Sequence, residues 1–196
     1  MIKFLFDRVM AALGILFLLP VLLVIVIWVI LDSRGGAFFV QTRVGKNGRQ
    51  FGLLKFRTMQ PLSEKEGKLT VGSNDPRVTR AGLTLRKYKI DELPQLLNVL
   101  IADMSFVGPR PEVPEYVAQY NTEQRRVLGV RPGITDEASL AYFNENETLA
   151  KSDNPEKTYL EEIMPAKIEL NLAYLRRRSF LSDIGVILRT LSRIIS

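Results

Sequence analysis

VMAALGILFLLPVLLVIVIWVIL, residues 9–31, decides the architecture, because no charged side chain interrupts it. As a straight helix at 1.5 Å per residue it reaches about 34 Å, enough for a hydrocarbon core of about 30 Å. The run therefore reads as a membrane segment and not as a buried core helix. A cleavable signal peptide fits poorly, since the run is long and Asp32-Ser33-Arg34-Gly35-Gly36 resembles a helix exit instead of a cleavage site. Two features complicate a plain crossing. Pro20 sits mid-run, where it removes a backbone hydrogen bond and bends the helix. Positive charge flanks both ends, with Lys3 and Arg8 before and Arg34, Arg43, Lys46 and Arg49 after. A re-entrant hairpin satisfies both features, and a kinked spanning helix stays open from the residues alone.

Outward from this segment, Phe38-Phe39-Val40 and the apolar run 51–56 flank Gly45-Lys46-Asn47-Gly48, which predicts a β-hairpin with Asn-Gly in its turn. Residues 61–76, rich in Ser, Glu, Lys, Gly and Asp, read as a loop. Helical periodicity then covers 79–88, 93–101, 113–120, 155–175 and 182–195. The expected fold is mainly α with a small β-hairpin, an α+β arrangement. Residues 1–34 are expected to form the membrane-embedded helix, and residues 35–196 a compact domain with interfacial amphipathic helices. The last helix places Arg189 and Arg193 one turn apart beside an apolar face, after Arg176-Arg177-Arg178, as suits an anionic bilayer surface. A solvated face on a core-packed helix is the alternative.

The 196 residues carry a formal charge of +6 and contain neither Cys nor His. That excludes disulfides, thiolate nucleophiles, Cys-based zinc sites and iron–sulfur clusters, together with the usual general base near neutral pH. Carboxylates, Lys, Arg, hydroxyls and a hard cation such as Mg²⁺ are what remain for chemistry. The basic excess points to an anionic partner. A nucleic-acid binder would show interleaved aromatics and a reader module, and neither is found.

The chemistry-bearing constellation is Asp91-Glu92-Leu93-Pro94-Gln95 at a helix start. Adjacent residues on a helix diverge by about 100°, so the two carboxylates take different jobs: one attacks, the other handles protons or metal. Simple helix capping is the competing reading of the pair. Lys55, Arg57, Arg86, Arg110 and Arg131 lie in or beside Gly- and Pro-punctuated stretches of the kind that hold phosphates. Arg110, between Pro109 and Pro111, is the hardest of these to dismiss as surface charge.

Lys55-Phe56-Arg57-Thr58-Met59, Asp75-Pro76-Arg77-Val78-Thr79, Asp91-Glu92-Leu93-Pro94-Gln95-Leu96-Leu97-Asn98-Val99, Asp103-Met104-Ser105 and Gly108-Pro109-Arg110-Pro111 together resemble the bacterial sugar transferases, the small monotopic phosphoglycosyl transferases. The resemblance runs through Thr135 and resumes weakly at Arg178 and Asp183. It implies transfer of a phosphosugar from a UDP-sugar to polyprenol (undecaprenyl) phosphate with release of UMP. The implied location is the cytoplasmic face of the bacterial inner membrane, among membrane lipids, with a re-entrant N-terminal helix. It further implies Mg²⁺ beside Asp91, with Asp91 as nucleophile in a covalent phosphosugar intermediate and Glu92 as its partner. Lys55, Arg57, Arg86, Arg110 and Arg131 would bind substrate. The composition is compatible, because an acceptor phosphate is already largely dianionic at pH 7 and needs little help from a base.

The sequence departs from the family pattern in three places. Leu19 precedes Pro20 where small members often carry Ser. Asp136-Glu137-Ala138-Ser139-Leu140 replaces the usual continuation after Thr135. Tyr142-Phe143-Asn144 stand where some members place a phosphate-contacting Arg. A non-catalytic membrane-anchored adaptor is the alternative function; it needs the apolar helix and the basic surface but not the Asp91-Glu92 pair.

Overall fold

The computed structural model describes residues 2–61 and 75–195, so the loop expected over 61–76 falls for the most part outside the described residues. Helix α1 (Ile2–Asp32) runs unbroken through Pro20. At 1.5 Å per residue it follows about 46 Å of path. It is long and apolar enough to cross a membrane. Only Asp7, Ala11, Ile25 and Val29 of its side chains are buried, and most of its Leu, Ile and Val residues stand exposed.

Both ends of α1 are fastened to the rest of the chain. Near the start, the Arg8 guanidinium donates to the Leu100 carbonyl at 2.9 Å and the Ser105 hydroxyl donates to Asp7 at 2.7 Å. Lys3 pairs with Asp183 at 2.6 Å. At the far end, Arg57 donates to the Ser33 carbonyl at 2.8 Å and to the Ser33 hydroxyl at 3.0 Å, and the Ala81 amide donates to Asp32 at 3.0 Å. Apolar contact reinforces each anchor: Ala11 joins Leu53, Val99 and Met104, while Ile25 and Val29 join Phe56 and Leu85.

The predicted hairpin is present and longer than its apolar runs. Strands β1 (Phe38–Val44) and β2 (Gln50–Phe56) pair antiparallel in the register Phe38 to Phe56 and Val44 to Gln50. Asn47 and Gly48 take positive φ of 56° and 79° in the connection, as an Asn-Gly turn requires. Helix α2 (Arg80–Lys87) starts at Thr79, whose hydroxyl accepts from the Gly82 amide. A 3-10 turn (Ile90–Glu92) leads into helix α3 (Gln95–Leu100).

A second, parallel strand pair was not anticipated. Strand β3 (Ser105–Val107) pairs with β4 (Gly133–Thr135), each only three residues long. The two chains cross backbone against backbone here: a Cβ on Gly133 would stand 2.2 Å from the Gly108 nitrogen, so only glycine fits.

The remaining helices are α4 (Pro114–Val117), α5 (Glu137–Ala141), α6 (Glu145–Ala150), α7 (Pro155–Thr158), α8 (Met164–Arg177) and α9 (Phe180–Ile195). The helix expected over 155–175 is present as α7 and α8 joined through a π-helical segment at Tyr159–Ile163. The helix expected over 113–120 shrinks to α4, one turn begun by Pro114. Val113, Tyr116, Val127, Tyr159, Ile163 and Ile168 form the largest apolar cluster, beneath the hairpin end at Val44. Helix α9 buries Asp183 and Val186 while Leu181, Leu188 and Leu191 stay exposed. The mainly helical α+β expectation holds.

Candidate active site

The dyad lies in the 3-10 turn, whose start requires Lys89 in the left-handed region at φ 55°. Among the described residues no side chain bonds the first amides of α3, so neither carboxylate caps that helix and the capping reading of the pair loses its basis. A 3-10 turn advances about 120° per residue, which drives adjacent side chains apart. Glu92 turns toward Lys55 and Arg110, accepting from the Lys55 ammonium at 3.0 Å and from Arg110 Nη1 at 3.2 Å, with a further bond from Arg110 Nη2. Asp91 is buried, and burial and the charges around it dominate its setting.

The two carboxylates differ in their electrostatics. Burial pushes the Asp91 carboxyl above its ordinary range, against the pull of Lys55. Burial acts the same way on Glu92, but the Arg110 and Lys55 charges outweigh it and hold that carboxyl well below the usual carboxylate range. Desolvation lowers Lys55 and Arg86, each opposed by its neighbouring carboxylate. The Glu92 charge raises Arg110.

Lys55 reaches Glu92 because α3 fixes the register of β2. The Asn98 carboxamide accepts from the Leu54 amide at 3.0 Å and donates to the Gly52 carbonyl at 2.8 Å. Arg110 is held from its own backbone: its amide donates to Asp136 at 2.7 Å, within the stiff Gly108-Pro109-Arg110-Pro111 loop. Asp136 is fully buried, accepts from the Asn171 carboxamide at 3.0 Å, and caps α5 through the Ser139 amide. Beyond Pro111, Arg43 pairs with Glu112 at 3.0 Å and donates to the Pro111 carbonyl at 3.0 Å. The Tyr159 hydroxyl donates to the same glutamate.

Arg86 donates to the Thr58 hydroxyl at 2.9 Å and feels the Asp91 charge. Two of the five expected substrate-binding cations have other engagements. Arg57 is buried against the end of α1, donating to Ser33 and Arg34. Arg131 donates to the Ala102 carbonyl at 2.8 Å and stands 4.7 Å from the centre of the Phe4 ring. Lys55, Arg86 and Arg110 therefore surround the dyad, whereas Arg57 and Arg131 bind α1 and the turn after α3. Asp136, Asn98 and Arg43 escaped the sequence reading as site supports; the Asp136–Ser139 spacing of a helix cap was the available signal.

Among the described residues no group of three or more acidic side chains gathers as a metal cage. Asp91 offers a buried carboxylate beside a locked one, which fits a hard cation that keeps waters and substrate oxygens as its other ligands.

Comparison with known proteins gives a consistent answer. The chain is 35% identical over 201 residues to a UDP-glucose:undecaprenyl-phosphate glucose-1-phosphate transferase of Xanthomonas campestris pv. campestris, covering 98% of this chain and 38% of that protein. It is 35% identical over 195 residues to a UDP-N-acetylgalactosamine-undecaprenyl-phosphate N-acetylgalactosaminephosphotransferase of Aeromonas hydrophila, covering 97% of this chain and 43% of that one. A Caulobacter vibrioides protein with the same name as the Xanthomonas one is 35% identical over 201 residues, covering 97% of this chain and 68% of its own length. This chain thus spans well under half of the first two relatives. The family described as bacterial sugar transferase matches residues 1–196, and the chain belongs to that family.

Proposed function

We propose that this protein transfers a sugar phosphate from a UDP-sugar to a polyprenol phosphate such as undecaprenyl phosphate, releasing UMP, through a covalent intermediate on Asp91. The observation that carries the reading is the split dyad. One carboxylate is locked between Lys55 and Arg110, and its neighbour is buried under through-space charge. An adaptor would have no use for that pair.

In the first step an Asp91 carboxylate oxygen attacks the phosphorus that bears the sugar. A bond forms between that oxygen and phosphorus, the bond to the bridging oxygen breaks, and UMP leaves with the electron pair. In the second step an oxygen of the acceptor phosphate attacks the same phosphorus, the bond to Asp91 breaks, and the carboxylate is restored. Neither step requires a proton donor, which suits a chain without His or Cys. Lys55, Arg86 and Arg110 supply positive charge for the transferring group, and Glu92 fixes two of them. Mg²⁺ held by Asp91 and the substrate phosphates would neutralise charge on the diphosphate.

The same reading puts the protein at the cytoplasmic face of the bacterial inner membrane with α1 re-entrant. Its support is that Lys3, Asp7 and Arg8 at one end, and Asp32 and Ser33 at the other, bond to one folded unit. The exposed Leu181, Leu188 and Leu191 of α9 would lie in the interface.

A panel of UDP-sugars with undecaprenyl phosphate in detergent, read as UMP release, tests the activity and identifies the sugar. Asp91→Asn keeps the shape and removes the nucleophile, so turnover falls by orders of magnitude with the fold intact. Without acceptor, the unmodified protein carries a phosphosugar adduct on Asp91 by mass spectrometry. EDTA abolishes turnover and Mg²⁺ restores it. Near-normal turnover by the Asn variant would sink the covalent step.

A further inference from the structure

Thr58 lies just beyond β2, the strand that carries Lys55, and is buried. Its hydroxyl accepts from Arg86 Nε at 2.9 Å. The local packing explains why this bond forms. The Thr79 amide donates to the Thr58 carbonyl at 3.0 Å and the Gln60 amide to the Arg77 carbonyl at 2.8 Å, so the chain after β2 runs beside the chain before α2. Met59 and Val78 form an antiparallel bridge between those bonds. Gly82 then lets the first turn of α2 press on the same segment: a Cβ there would stand 2.2 Å from the Thr58 carbonyl oxygen. Arg86 follows Gly82 by four residues and lies on the same side of α2, one turn on, which brings its guanidinium to the Thr58 hydroxyl.

Arg86 in turn stands at the dyad. Its carbonyl accepts from the Lys89 amide at 3.1 Å, which joins the last turn of α2 to the turn of Asp91 and Glu92. Burial works against the Arg86 charge, and Asp91 is the strongest of the charges that favour it, ahead of Asp75. The guanidinium is planar, so a bond at Nε fixes the orientation of the group as well as its place. A threonine hydroxyl is neutral, and so it aims the cation without cancelling its charge. Glu92 orients Lys55 and Arg110, but as a counter-charge.

We infer that Thr58 is a positioning residue for Arg86, its hydroxyl aiming the guanidinium at the phosphoryl group that passes to and from Asp91. The inference rests on the proposed function. One short segment then sets two of the cations around the dyad, Lys55 directly and Arg86 through Thr58.

The test is a double-mutant cycle on the full chain in detergent, with UMP release at saturating substrates corrected for the folded fraction by circular dichroism. Thr58→Val keeps the branched shape and removes the acceptor, and is expected to lower kcat about tenfold. Thr58→Ser keeps the hydroxyl and is expected to stay within about twofold of the unmodified protein. Arg86→Met removes the cation and is expected to cost about a hundredfold. Because Thr58 acts through Arg86, the double variant is expected to lie within about twofold of Arg86→Met alone. A merely structural threonine would lower the melting temperature and leave turnover of the folded fraction unchanged, and that result would overturn the inference. So would losses that multiply in the double variant, or a Ser variant as slow as the Val one. Should Thr58→Val not fold, Thr58→Ser and Thr58→Cys differ only in the acceptor atom, and the Cys variant, with its weaker acceptor, is expected to be about fivefold slower. Equal rates in those two would overturn the inference. If the unmodified protein releases no UMP, the proposed function itself fails, and the inference with it; if it does and Thr58→Val matches it, the positioning role alone fails.

Discussion

Replacing Asp136 by Ala removes the carboxylate that anchors Arg110. Asp136 has no exposed surface and takes three hydrogen bonds, from the Arg110 amide at 2.7 Å, the Asn171 carboxamide at 3.0 Å and the Ser139 amide. A hydrogen bond to a charged group contributes about 1.5–3 kcal/mol net, and loss of a helix cap costs about 1 kcal/mol. The three bonds share one acceptor group and are not additive, so the expected loss is about 4 kcal/mol. For a chain of this size that lowers the melting temperature by roughly 10 °C. Catalysis should suffer as well, because the Arg110 backbone sets where its guanidinium meets Glu92; a misplaced group of this kind costs about tenfold or more in turnover. Asp136→Asn keeps one acceptor oxygen and should lose about half as much stability. Thermal unfolding in detergent followed by circular dichroism, with UMP release on the same samples, measures both effects. An alanine variant that melts within about 2 °C of the unmodified protein with unchanged turnover would refute the anchoring role.

Arg57→Ala should lower the melting temperature by more than about 5 °C, since it strips the end of α1 of its bonds to Ser33 and Arg34, and should leave the donor KM within about twofold. A tenfold donor KM rise without a stability change would instead make it a substrate ligand. Asp75 is held below the ordinary carboxylate range by its hydrogen bonds with Arg77. A depressed carboxyl stabilises above its unfolded pKa of about 3.9 and loses that contribution as pH falls through the folded value. The stability gap between the unmodified protein and Asp75→Asn should therefore be full at neutral pH and close below about pH 4; urea titrations giving a constant gap from pH 7 to pH 3 would contradict it. Cysteines at Ile2 and at Gly36, where an added Cβ meets nothing within 4 Å, should label from the same side in sealed vesicles. Opposite-side labelling would refute re-entry without touching the role of Asp91.

How much of this was legible depended on the range over which each feature is determined. The hairpin was readable because its turn chemistry and apolar runs are local, and its strands ran longer because Gln41, Thr42 and Arg43 continue the ladder without being apolar. The β3–β4 pair left no such trace: its strands are three residues long and meet across a distant Gly108–Gly133 contact. The helix over 155–175 was evident from periodicity, whereas the π segment at Tyr159–Ile163 has no local sequence mark. Lys55, Arg57, Arg86, Arg110 and Arg131 look alike in a sequence, each a cation near punctuation. Only the register set by Asn98 and the anchor at Asp136 bring Lys55 and Arg110 to Glu92, while Thr58 engages Arg86, Ser33 engages Arg57 and Ala102 engages Arg131. Asp136 stands out in the sequence as a break from a family pattern and, through its spacing to Ser139, as a helix cap; that it also braces the arginine loop has no local mark.

The Asp91-Glu92 pair was legible as a pair, and its division of labour follows from the turn that holds it. Had both residues stood on a regular helix start, each could have capped free amides. The 3-10 geometry sends Glu92 toward two cations and leaves Asp91 buried, where desolvation outweighs the pull of Lys55 and Arg86. Glu92, held below the ordinary carboxylate range against the cost of burial, stays anionic across physiological pH and so is a poor proton carrier. What it can do is keep Lys55 and Arg110 charged and aimed in one direction, despite the desolvation that works against Lys55. Under the proposed function, the raising of Asp91 by burial would make its ionised carboxylate a more basic and so better nucleophile. Under the proposed function, a diphosphate would meet cations whose orientation is already fixed, leaving little reorganisation for the transfer.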